Sequence, residues 1–92
     1  MHELTGFQRD LLYVICGFDK PSGQTIKEDI EEYYQEEITH GRLYPNLDAL
    51  VMKSFVDKGQ LDRRTNYYAI TEKGEKILYE RRQWENEYVQ FN

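Results

Sequence analysis

Only one cysteine, Cys16, occurs in 92 residues. A lone cysteine cannot close an intrachain disulfide or build a thiolate metal cluster. It sits in an apolar run, so a buried thiol is expected. The two histidines, His2 and His40, stand far apart, and no His, Cys, Asp or Glu set has metal-ligand spacing. The chain has no glycine-rich phosphate loop, and neither a Ser/His/Asp nor a Cys/His arrangement can be argued. An enzyme is therefore not expected, and neither is a cofactor or a metal. No apolar run is long enough to cross a bilayer, and the first residues lack the apolar stretch of a secretory signal. A cytoplasmic location with no membrane partner is the expectation. Internal repeats, linkers and low-complexity tracts are absent too.

What remains is the composition of one folded domain. Hydrophobic residues make up 39% and charged residues 32%, which argues against a disordered tail. A chain this short buries a modest core, so oligomerisation is a reasonable expectation. Eight tyrosines suggest half-wet surfaces such as a subunit interface. The net charge is −5, but it is unevenly spread. Residues 27–37 carry one basic and six acidic side chains, whereas residues 38–71 carry five basic and three acidic ones. That second block is the only net-positive one, and local field decides where a polyanion docks.

Periodicity and caps divide the chain. Thr5 and Gln8 have capping-box spacing, followed by Leu4, Phe7, Leu11, Leu12 and Ile15 at helical spacing up to Gly17. A second helix is expected from Ser22 or Gln24 to Gln35, with Ile26, Ile30, Tyr33 and Tyr34 on one stripe. Thr39 caps a third, from His40 to Lys53, whose Leu43, Leu47, Leu50 and Val51 share a face. Pro45 lies inside it, where it removes a hydrogen bond and should loosen the first turn. Tyr44 should pack its ring in the core with the hydroxyl at the rim. Strands are expected at Phe55–Leu61 and Asn66–Ile70, joined by a turn over Asp62, Arg63, Arg64 and Thr65. Thr71 then caps a long helix from Glu72 to about Gln90.

This order predicts a mainly α protein with a small β-hairpin, a winged helix-turn-helix with a long C-terminal dimerisation helix. Residues 1–71 would form the DNA-binding domain and residues 72–92 the dimerisation helix of the same unit. Helix three can enter a major groove, and the hairpin tip can reach the adjacent phosphates. The expected DNA contacts are Thr39, His40, Gly41, Arg42 and Asn46 from helix three, and Arg63, Arg64 and Thr65 from the wing. Arg42 and Asn46 are types that read guanine and adenine edges by paired hydrogen bonds. Gly41 permits close approach, and free N–H groups at the helix start can hold phosphate. In the last helix, Gly74, Ile77, Arg81, Trp84, Tyr88 and Phe91 fall on alternating three-four spacing, a short heptad seam. The expected homodimer interface is Leu4, Phe7, Ile77, Arg81, Trp84, Tyr88 and Phe91. The competing possibility is a winged helix used only for protein–protein contact, against which the net-positive block and the two tip arginines speak.

The run His40-Gly41-Arg42-Leu43-Tyr44-Pro45-Asn46-Leu47-Asp48-Ala49-Leu50 resembles the recognition-helix signature of the PadR family of transcription regulators. Ser22-Gly23-x-x-Ile26 resembles the start of that family's second helix. Arg64 to Gly74, ending Thr71-Glu72-Lys73-Gly74, resembles its second wing strand and the start of its last helix, an ending that MarR-like proteins share. The resemblance implies a homodimer, usually a repressor, that binds inverted-repeat DNA sequence-specifically through the third helix and the wing. Ser54 stands where the family usually has glycine. A short wing and a single following helix resemble the short-tailed branch, which leaves any small-molecule effector unassigned. The acidic balance is similar to that of haloarchaeal relatives.

Overall fold

In the computed structural model, which describes residues 3–90, the element order is three helices, a two-stranded hairpin and a fourth helix. Helix α1 spans Gly6–Gly17, α2 Gly23–Tyr34, α3 His40–Met52 and α4 Glu72–Asn86; strands β1 and β2 span Val56–Gln60 and Asn66–Ile70. Each helix begins on a hydroxyl cap. Thr5, Ser22, Thr39 and Thr71 accept the backbone N–H groups of Gln8, Thr25, Arg42 and Gly74 respectively. Thr5 and Gln8 close the reciprocal capping box that their spacing predicts.

The apolar stripes of the helices meet in one core. Leu11, Leu12 and Ile15 of α1, Ile26 and Ile30 of α2, and Leu43, Leu47 and Leu50 of α3 are almost fully buried with Ile38, Phe55, Val56 and Tyr68. The hairpin pairs antiparallel, Val56 opposite Ile70 and Gln60 opposite Asn66. It is fastened to the helices at a sequence-distant point. The Tyr68 N–H donates to the Pro21 carbonyl at 2.9 Å, and Ser22 bridges to Tyr67. The segment before α2 thus acts as a short third edge of the wing.

The end of α3 is closed by Ser54, whose φ is +66°. The Ser54 N–H donates to Val51 and the Phe55 N–H to Leu50, at 3.0 and 3.1 Å. This is the glycine-type helix ending, carried here by a serine in the left-handed region. The next helix docks directly on it. The Thr71 hydroxyl donates to the Ser54 carbonyl at 2.7 Å, Lys73 Nζ to the Lys53 carbonyl at 2.7 Å, and the Thr71 N–H to the Phe55 carbonyl at 3.1 Å. A side chain at Gly74 would overlap the Phe55 carbonyl, so only glycine allows this approach. Thr71, Lys73 and Gly74 are therefore a joint between two helices.

Several expectations need correction. Helix α4 stops at Asn86 instead of Gln90, and Glu87, Tyr88 and Val89 fold back in turns onto Trp84 and Glu85. Beyond Leu78 it has little core to lie on, and an unpacked helix end is marginal in water. Cys16 is exposed, one position past the core residue Ile15 and on the face that carries Tyr13. Helix α3 runs unbroken through Pro45. Its first turn is held by Thr39, whose carbonyl accepts from Arg42 and Leu43 at 3.1 and 3.0 Å. Strand β1 is one residue shorter at each end than expected.

Candidate nucleic-acid interface

The wing tip is shaped by a side chain that its own turn encloses. Asp62 Oδ1 accepts the N–H groups of Arg64 and Thr65 at 2.9 and 3.0 Å, while the Leu61 N–H returns to the Thr65 carbonyl at 2.8 Å. The Arg64 N–H above all, with Thr65, holds the Asp62 carboxyl below the usual carboxylate range. Arg63 and Arg64 project from this turn, exposed, and form no ion pair among the described residues. Thr65 is half-buried at the root of the tip.

Between the wing root, the start of α2 and the flank of α3 lies a cleft of about 290 Å³, lined among others by Ser22, Gly23, Gln24, Tyr44, Arg64 and Thr65. Tyr44 is half-buried and lies over Gly23, where a Cβ would collide with its ring and hydroxyl. Its ring also meets His40 edge-on at 5.5 Å. Gly23 thus admits an aromatic side chain to the very start of a helix, where free N–H groups point outward. Lys20 joins this side, 5.4 Å over the Tyr67 ring. The sequence reading missed Ser22, Gln24 and Lys20. They reach the wing only through the Pro21–Tyr68 and Ser22–Tyr67 pairings, which leave no local signature.

Helix α3 divides its expected contact residues between two surroundings. Thr39, His40 and Gly41 are exposed at its start, and nothing approaches within 4 Å of a Cβ built on Gly41. Arg42 is partly engaged. Its guanidinium lies 4.1 Å from the Phe7 ring and 5.8 Å from Tyr34, and it pairs with Glu36 at 3.5 Å. Tyr34 in turn donates to Asp10 at 2.6 Å, and burial first, then that bond, pushes its hydroxyl up to about 12. Asn46 is half-buried between Gln8 of α1 and the Arg42 carbonyl, 3.0 and 2.7 Å away. The exposed residues of α3 beyond His40 are Gly41, Arg42, Pro45, Asp48 and Met52. Among them Asp48 is 3.7 Å from Lys58 of β1. Below them the Tyr68 hydroxyl is buried without a partner among the described residues. Burial, then the Asp48 charge, pushes it up to about 12.

The expected dimer residues separate likewise. Leu4 and Ile77 are 8% and 7% exposed and belong to the protomer's own core, which leaves little of either for a second copy. Phe7 packs edge-on against Tyr34 at 5.9 Å. Arg81 is half-buried, pairs with Glu85 at 3.3 Å and lies 4.7 Å from the Trp84 ring. The Trp84 and Tyr88 rings meet at a tilt of 58°, centroids 5.2 Å apart, and stay 51% and 71% exposed. Phe91 lies outside the described residues. Beside them, Tyr13, Cys16, Tyr79 and Arg82 border a groove between α1 and α4. No described helix is long and apolar enough to cross a membrane, and no described His, Cys, Asp and Glu side chains form a metal-binding group.

Residues 11–80 match the transcriptional regulator PadR-like family. RosR of H. salinarum is 45% identical over 98% of this chain and 82% of its own, with a TM-score of 0.89. The complex structure of RosR-S1 matches at 46% identity over 94% of this chain and 76% of that one, also at 0.89. Two more distant structures share the fold. FabT of Streptococcus pneumoniae in complex with DNA is 17% identical over 96% of this chain and 59% of its own, with a TM-score of 0.76. F93 from STIV, a winged-helix DNA-binding protein, is 22% identical over 94% and 92%, with a TM-score of 0.68. No curated protein matches the sequence.

Proposed function

The chain belongs to the PadR-like family of transcriptional regulators, and we propose that it binds double-stranded DNA sequence-specifically, as a homodimeric repressor, through α3 and the wing. One observation carries this reading: the start of α2, the flank of α3 and the arginine-bearing wing tip converge on one cleft. A phosphate there meets helix N–H groups and a planar guanidinium within one short reach. The start of α3, with Thr39, His40 and the bare Gly41, is free to enter a major groove beside it. FabT in its complex with DNA and the DNA-binding F93 use the same fold. A homodimer would place two copies of α3 about one DNA turn apart, roughly 34 Å. The exposed end of α4, with Trp84 and Tyr88, is the surface available to hold it, and residues 72–92 would then serve core and assembly together.

Selection of bound sequences from random duplex DNA over a range of salt tests the reading. An inverted repeat should emerge. Replacing Arg63 and Arg64 together by Ala should weaken specific and random duplexes alike. It should also flatten the log affinity–log salt slope by up to about one unit for each phosphate no longer neutralised. An unchanged slope in a folded variant removes the wing from the interface, and a wild type that enriches no sequence refutes sequence-specific binding.

A further inference from the structure

Helix α3 carries two formally charged side chains, Arg42 and Asp48, and they meet different surroundings. Arg42 is exposed but held against the Phe7 ring and paired with Glu36, toward α1 and the end of α2. Asp48 stands a step round the helix from it, in line with the bare Gly41 and the exposed Pro45 and Met52. Those four positions follow at spacings of four, three and four residues, which keeps them on one stripe. Gly41 and Asp48 are two turns, about 10 Å, apart along the axis, a length that a major groove about 12 Å wide accepts. Gly41, Pro45 and Met52 bring no side-chain donor and no strong acceptor to this stripe. The polar chemistry of a base edge meeting it therefore falls to Asp48.

The Asp48 carboxylate is 3.7 Å from Lys58 of β1, longer than a hydrogen bond, and its side chain is 58% exposed. Its oxygens are thus open to a donor from outside. A carboxylate on a surface that meets a polyanion is repelled by the phosphates around it, and Lys58 offsets part of that cost. The rest is recovered only where the carboxylate finds a donor. In the major groove the donors are the amino groups of cytosine and adenine. Adenine sets its amino group beside N7, an acceptor that repels a carboxylate, whereas cytosine presents N4–H and no acceptor of its own. We propose that Asp48 is a specificity-determining residue that accepts a hydrogen bond from the exocyclic amino group of a cytosine in each half-site. This inference rests on the DNA-binding reading above and adds to it the base edge read from the middle of α3. A mere tie between α3 and the wing strand would use the same ion pair, but it would act on stability and leave base choice alone.

The test uses the full chain and the duplex that selection yields. Asp48→Ala changes an exposed helical position to a good helix former, so melting temperature should stay within a few degrees. On random duplexes this variant should bind at least as tightly as wild type, because a negative charge is gone. On the selected duplex its preference should relax at one G·C pair of each half-site. Replacing the cytosine of that pair by 2-pyrimidinone, which lacks the amino group, should cost wild type at least about fivefold more than Asp48→Ala, a difference within the range of one good base contact. Comparing the two proteins on the same pair of duplexes cancels whatever the analogue does to the DNA itself.

The proposal is overturned if Asp48→Ala keeps the wild-type preference, if it changes affinity for all sequences by one factor, if the relaxed pair is A·T, or if amino deletion costs both proteins alike. A fall in melting temperature with base preference kept marks Asp48 as the tie and overturns it too. A wild type that selects no sequence defeats the DNA-binding reading itself, which separates the two failures.

Discussion

The two halves of α4 carry the same kind of apolar stripe and do opposite things with it. In the first half, Gly74, Ile77 and Leu78 close the core, and Thr71 and Lys73 bond to the end of α3. In the second half, Tyr79, Trp84 and the following Tyr88 remain 66%, 51% and 71% exposed. The heptad-like spacing runs across both without a change of phase. Spacing specifies that one side of a helix is apolar; it does not specify what covers it. That depends on how far the core of a small domain reaches, and here it reaches one residue past Ile77. Past Asn86 the exposed end gives way to turns over Glu87–Val89, as an unpacked helix end does in water.

The sharpest way to break this comparison is at its docked end. Gly74→Ala forces a methyl against the Phe55 carbonyl, and a backbone atom cannot swing aside. A loss of about 3 kcal/mol in denaturant unfolding is expected, the upper part of the range for overpacking. A loss under about 1 kcal/mol would mean that the joint is looser than its hydrogen bonds indicate. Trp84→Ala comes next and should act elsewhere. It should cost at least about 2 kcal/mol of assembly, read by sedimentation at micromolar concentration, as an interface anchor does. Its protomer fold should change by no more than about 0.5 kcal/mol. A variant that stays fully dimeric would show that another surface holds the copies together.

Smaller effects sharpen the docked half further. Ser54→Gly relieves a left-handed serine at the end of α3 and should stabilise by about 0.5–1 kcal/mol in thermal unfolding. Destabilisation would mean that the serine side chain has a use the backbone does not reveal. Tyr68→Phe removes a buried hydroxyl without a protein partner and should leave stability unchanged within about 0.5 kcal/mol, or raise it. A loss above about 1 kcal/mol would point to a bridging water at that hydroxyl.

The fold was largely legible because its boundaries are local. Thr5, Thr39, Thr71 and Asp62 each act on groups within three residues, and the leucines of α3 need only the helical period to find the core. The candidate site was legible where it is a turn, at Arg63 and Arg64. It was not legible where it depends on contacts between distant segments. Nothing near Arg42 announces that Phe7 will lie beneath it and Glu36 beside it. Nothing near Asn46 announces Gln8. Leu4 and Ile77, which lie in the protomer's own core, make the same point: an apolar residue at the end of a stripe serves its own core or a partner according to geometry that the stripe does not contain.

The joint between α3 and α4 has a mechanical meaning. Three hydrogen bonds span it, from the Thr71 hydroxyl, the Thr71 N–H and Lys73, and glycine brings the backbones into contact. Such a joint ties the start of α4 to the end of α3. With its axis about 22 Å long, α4 behaves as the long arm of a bell-crank and α3 as the short one. In the homodimer proposed above, a tilt at Trp84 would pass through this joint toward His40–Met52, and the spacing between two copies of α3 would be set wherever the far ends of α4 are held.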